Sequence, residues 1–82
     1  MAEVDTVNLK EVSGSPGRVV GNCALTGATS TLGNVTHKLG TLLKVIVNVR
    51  GTNTLTKTVS GTAITLTGTN NDVVDFDLEG YV

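Results

Sequence analysis

One thiol, one imidazole and a short row of carboxylates are the groups in this chain that could do chemistry. Cys23 and His37 are the only cysteine and histidine. A thiol nucleophile with a histidine base also needs an orienting third group and donors for an oxyanion. No motif for either is present. Cys23 falls at an inward position of an apolar alternation and is expected to be a buried structural thiol. His37 is expected to be a polar loop or strand residue beside Lys38. One histidine and one cysteine do not make a zinc ligand set. No catalytic residue, cofactor or metal is therefore assigned, and the chain is read as a non-enzyme.

The acidic row is Asp75, Asp77 and Glu79. Alternate residues of a strand lie about 6.6–6.8 Å apart, too far for neighbouring carboxylates to grip one ion without help from a loop. The row is read as a solvated face, or one that meets basic residues on a partner. A calcium site would have to draw in Asp72 and the Asn70-Asn71 turn. Glycosidase chemistry would need two carboxylates across a cleft, which nothing here supplies. Thr52, Thr54, Thr56 and Thr58 form an alternating hydroxyl row, and Thr65, Thr67 and Thr69 a second. Paired as a hairpin they would make a threonine patch, similar to the flat arrays of some ice-binding proteins. Twist works against so flat a lattice, and threonine is also simply a good polar residue for an exposed strand. Gly14-Ser15-Pro16-Gly17-Arg18 is glycine-rich, but it precedes a strand. A phosphate loop precedes a helix, so this is read as a hairpin turn.

The elements that must carry these residues are strands. Thr and Val dominate, both stiff and suited to a pleated surface. Ten glycines punctuate the chain. The first strand is expected over Val4–Val12, with Val7 and Leu9 on its apolar face. The second covers Arg18–Leu25, where Val19, Cys23 and Leu25 share a face with Gly21, a position for close packing. Gly27–Gly40 is irregular, with a short strand expected around Asn34–Lys38. Leu42–Arg50 is the most hydrophobic run and is read as the central strand, with Leu43, Val45, Val47 and Val49 in the core and Ile46 on a face that could meet a subunit. Thr54–Val59 places Leu55 and Val59 on one side. Ser60-Gly61 signals a tight hairpin, after which Ala63–Thr67 turns Ile64 and Leu66 inward. Val73–Tyr81 shows the cleanest alternation: Val74, Phe76 and Leu78 one way, Asp75, Asp77 and Glu79 the other. The fold class is all-β, a small antiparallel β-sandwich or barrel of about six to seven short strands. Residues 1–82 form one domain, with 1–5 an extended N-terminal arm.

Composition narrows the partners. The chain has 82 residues, a net charge of −1 and 16% charged residues, against about 25% in an ordinary domain. Nucleic-acid binders carry a basic face, and single-strand binders carry aromatic platforms. This chain has neither, with one Phe, one Tyr and no Trp. No apolar run is long enough to cross a membrane as a helix. The N-terminus lacks the pattern of a signal peptide, and with Met1 present the chain is expected to be a complete product made in the cytoplasm. A domain this small buries only about 60% of its unfolded surface. Without a disulfide or metal, it is expected to finish its burial as a homo-oligomer, with a trimer favoured.

Three stretches carry a resemblance. Arg18-Val19-Val20-Gly21 follows a glycine-rich turn. Ser60-Gly61-Thr62-Ala63-Ile64-Thr65-Leu66-Thr67-Gly68 and the closing Val74-Asp75-Phe76-Asp77-Leu78-Glu79-Gly80-Tyr81 complete the pattern. In layout over most of its length the chain resembles the small β-sandwich virion proteins of tailed phages, of the capsid decoration or cement type. The resemblance implies a non-enzymatic part of the virion surface that binds the major capsid protein, or another virion protein, and stabilises the assembled head. A tail or fibre component, an adhesin-like binding module and an ice-binding protein are the alternatives. The residues expected in contacts are Asp5, Leu32, Val35, His37, Ile46, Asp75, Asp77 and Glu79.

Overall fold

The computed structural model describes residues 2–14 and 16–82. Met1, in the expected arm, and Ser15, in the expected first turn, lie outside the described residues. In chain order the elements are β1 (Ala2–Glu3), β2 (Asp5–Val12), β3 (Gly17–Ala24), β4 (Thr29–Leu32), α1 (Asn34–His37), β5 (Thr41–Val49), β6 (Thr56–Ser60), β7 (Ala63–Thr67) and β8 (Val73–Tyr81). They form two four-stranded sheets, ordered β1-β4-β7-β6 and β2-β3-β8-β5. Every pairing is antiparallel except β1 with β4. The all-β fold expected from the alternations is the fold observed.

The core lies between the sheets. Leu32, Ile64 and Leu66 come from one, Val19, Cys23, Val74, Phe76 and Leu78 from the other, with Leu25 and Leu39 from the connections. The inward residues expected on β3, β7 and β8 are all buried. Ser60-Gly61 is the hairpin it signals: Ser60 pairs with Ala63 across Gly61 and Thr62.

Four expectations are corrected. First, Ala2–Val4 is not a free arm. Ala2 and Glu3 pair with Ser30 and Thr31, and Val4 is buried, its N–H donating to the Thr31 carbonyl at 2.9 Å. The segment crosses from one sheet to the other at Val4. Second, the short strand of the irregular stretch is Thr29–Leu32, and Asn34–His37 is a single helical turn. Lys38 ends it in the left-handed region (φ 66°), its N–H returning to the Asn34 carbonyl. Third, Leu42–Arg50 is not central. β5 is an edge, and β8, flanked by β3 and β5, is interior. Apolar content measures burial of a face and says nothing about which side of a strand is paired. Fourth, Leu43 points out and is 53% exposed. The register slips between Leu42 and Lys44, so one extra residue shifts the alternation and Leu42 packs inward in its place.

That bulge, and a second between Asp5 and Asn8 on β2, each face a glycine. A Cβ on Gly80 would lie 1.8 Å from the Thr41 carbonyl oxygen, and one on Gly21 would lie 2.0 Å from that of Asn8. Only a residue without a side chain lets the bulged edge strands come so close.

Candidate interaction surface

The outer face of the β2-β3-β8-β5 sheet carries the acidic row along its middle. Register places Asp75 between Asn22 and Asn48, Asp77 between Val20 and Ile46, and Glu79 between Arg18 and Lys44. Residues opposite or diagonal to one another in a sheet share a face and interact, so Glu79 sits between two cations while Arg18 and Arg50 reach Asp77 and Asp75 diagonally. Arg18 forks onto Asp77, Nε donating to Oδ1 at 2.9 Å. Arg50 forks onto Asp75, with Nε and Nη2 donating at 2.9 and 2.7 Å. Two parallel N–H···O bonds make this the strong form of a carboxylate pair. These bonds and charges hold both aspartates below the usual carboxylate range, Arg50 acting on Asp75 and Arg18 on Asp77, and they raise both arginines. Two of the three acids expected to await a partner are therefore engaged within their own sheet.

The other expected contact residues scatter. Asp5 is exposed where the chain enters β2, its Oδ1 accepting from the Thr6 hydroxyl at 2.8 Å. Val35 stands 70% exposed on α1, and Ile46 is 39% exposed on the β5 edge. Leu32 and His37 are fully buried and reach no partner in this fold. His37 lies inside because both ring nitrogens are used. Nδ1 accepts from the Leu39 N–H at 3.0 Å, and Nε2 lies 2.7 Å from the Thr62 carbonyl. Since Nδ1 accepts, the ring proton sits on Nε2 and donates to Thr62. The imidazole thus ties the α1 segment to the β6–β7 turn.

Cys23 is buried as expected, and its thiol is pushed up to about 11, first by burial and then by the charges of Glu3 and Asp75. The loop around the supposed calcium ligands is spoken for: Asn70 Oδ1 accepts from the Gly27 N–H at 2.8 Å, and Asp72 Oδ2 from Asn53 Nδ2 at 2.9 Å. No group of three or more metal-ligating side chains occurs among the described residues. A small cleft of about 250 Å³ opens at one end of the sandwich, walled by Glu11, Val12, Arg18, Val19, Lys38 and Leu39. That is below the usual size of a small-molecule pocket, about 300–1,000 Å³.

The opposite sheet turns its threonines outward on three strands. Thr29, Thr67 and Thr56 lie in one cross-strand row and Thr31, Thr65 and Thr58 in the next. The sequence shows the second and third columns. The first, on β4, becomes visible only when the irregular stretch folds back as a strand.

Both edges of the β2-β3-β8-β5 sheet are open and carry four exposed apolar side chains, Leu9 and Val12 on β2 and Leu43 and Ile46 on β5; Val35, Val59, Tyr81 and Val82 are exposed elsewhere. Leu9 does lie on the inward face, opposite Gly21 and in line with Phe76, and is part exposed because β2 is an edge, whereas Leu43 is turned out by the bulge. Lys57 of β6 reaches across to β5 and donates to the Val45 carbonyl at 2.7 Å. This contact between sheets has no sequence signal.

No protein family model, curated protein or solved structure matches this chain.

Proposed function

We propose that the protein is a virion structural protein of a tailed phage, a capsid decoration protein that binds and stabilises the assembled head shell. One observation carries the reading. Four exposed apolar side chains, Leu9, Val12, Leu43 and Ile46, lie on the two open edges of a single sheet, and open strand edges are templates for pairing with another chain. A small rigid sandwich repeated over a shell gains its hold from many weak contacts acting together. The resemblance of the Arg18–Gly21, Ser60–Gly68 and Val74–Tyr81 stretches points the same way. The test is the protein's mass and copy number in purified particles. Presence in heads, with heads that lack it breaking at lower temperature, supports the reading. Recovery with tails alone, or absence from every particle, overturns it.

A second reading rests on a different face. The threonine grid on β4, β7 and β6 is a regular hydroxyl array with strands about 4.8 Å apart, the kind of surface that orders water. Ice binding would appear as thermal hysteresis of the purified protein, lost in Thr65→Tyr. Freezing with no hysteresis removes this reading.

A further inference from the structure

We propose that the β5 edge takes a second copy of this chain, antiparallel about a two-fold axis at Ile46, extending one sheet across both copies. In antiparallel pairs, residues alternate between those whose N–H and C=O face the neighbour and those whose groups face away. On β5 the phase is set by two bonds. The Arg50 N–H donates to Val73 beside β8 at 2.9 Å, which turns the even-numbered residues toward β8. The Val45 carbonyl meets Lys57 on the other sheet, so the odd-numbered residues face away. Val45, Val47 and Val49 thus present their N–H and C=O groups to the open side. A two-fold at Ile46 matches this phase. Val45 exchanges both backbone bonds with the partner's Val47, and Ile46 meets the partner's Ile46 as a non-hydrogen-bonded pair.

Charge selects the same register. Centred on Ile46, Lys44 lies opposite the partner's Asn48, and apolar faces apolar at the axis. Centred on Val45 or Asn48, Ile46 would face the partner's Lys44 or the partner's Arg50. Centred on Val47, Lys44 would face the partner's Arg50, and like charges directly opposite are destabilising. Arg50 is already forked onto Asp75, so the seam holds no uncompensated cation at that point. Leu43, Ile46 and, on neighbouring β6, Val59 are 53%, 39% and 43% exposed along this side of the sandwich. Lys57 sits on one of the carbonyls the partner would use. A lysine on an edge strand discourages pairing, but a carbonyl has two lone pairs, so this one tempers the contact without forbidding it.

The inference stands apart from shell binding, since it is read from mass in solution and not from particles. The purified protein should show a two-chain mass in sedimentation across a concentration series. Val47→Pro removes an N–H that faces outward, a change edge strands tolerate, so it should give a one-chain mass with an unchanged circular dichroism spectrum. Should that variant unfold, cross-linking decides. Non-hydrogen-bonded partners lie about 4.5 Å apart at Cα, inside the disulfide range of about 4.4–6.8 Å. Ile46→Cys should therefore oxidise to a linked dimer and Lys44→Cys should not, with native Cys23 buried at 1% exposure and out of reach. A one-chain or three-chain mass for the wild type, a folded Val47→Pro that keeps the two-chain mass, or Lys44→Cys linking as readily as Ile46→Cys, overturns the proposal.

Discussion

His37 shows how a single polar side chain becomes structural. Its two hydrogen bonds satisfy the Leu39 N–H and the Thr62 carbonyl in the interior, where an unpaired group is costly. His37→Ala leaves both without a partner and opens a void. A loss of about 2–4 kcal/mol is expected, measured by urea unfolding. Cys23 belongs to the same interior. With its thiol pushed up to about 11, it should resist a thiol reagent at pH 8 in the native protein and react fully once denaturant exposes it. Rapid native labelling would contradict that burial. Only one of these two roles is written in a spacing. The type of Cys23 and its place in the Val19–Cys23–Leu25 alternation show it facing inward, whereas His37 sits in a stretch with no periodicity. Only the turn of α1 and the approach of Thr62 bring it inside.

At the scale of elements, the two bulges shape the edge strands β2 and β5 of the β2-β3-β8-β5 sheet. Each extra residue is accommodated by a glycine on the facing strand. Gly80→Ala drives a methyl into the Thr41 backbone, where relief requires the strands to separate. The expected loss is about 3 kcal/mol, read as a lower thermal midpoint. Lys57 acts on the opposite kind of problem, an edge left open. Lys57→Ala frees the Val45 carbonyl and should raise the tendency to self-associate, seen as a larger mean mass in sedimentation at a given concentration. The strands β3, β7 and β8 are legible from alternation because both their inward residues and their outward residues keep one phase from end to end. β5 is not, because Leu42 and Leu43 are both apolar and either could begin the inward set.

For the whole molecule, the forked pairs make stability depend on pH in a definite direction. Asp75 and Asp77 are held below their ordinary range by Arg50 and Arg18. The unfolded chain therefore binds protons at a higher pH than the native one, and the pairs' contribution is present above the ordinary carboxylate range. It is lost as pH falls through the depressed native values. The pairs are exposed, so the contribution is modest and screened by salt. Unfolding midpoints measured from pH 6 downward should fall below about pH 4, and the fall should be shallower in the Arg18→Ala/Arg50→Ala double variant. An identical acid profile for the two proteins would rule out the pairs as its source.

By itself the sequence determines that this chain is a small β protein, and it determines the inward faces of β3, β7 and β8. These follow from a period of two that each strand carries locally, and from turn residues such as Ser60-Gly61 that need no distant partner. Tertiary structure alone decides which strands become edges, where the bulges shift the phase, that Ala2–Glu3 pairs with β4, and that Asp75 and Asp77 already have their arginines. The reason is physical. Side-chain alternation is a property of one strand, whereas an edge, a register and an ion pair between strands are properties of two, set by a fold that brings together residues such as Arg18 and Asp77 from far apart in the chain.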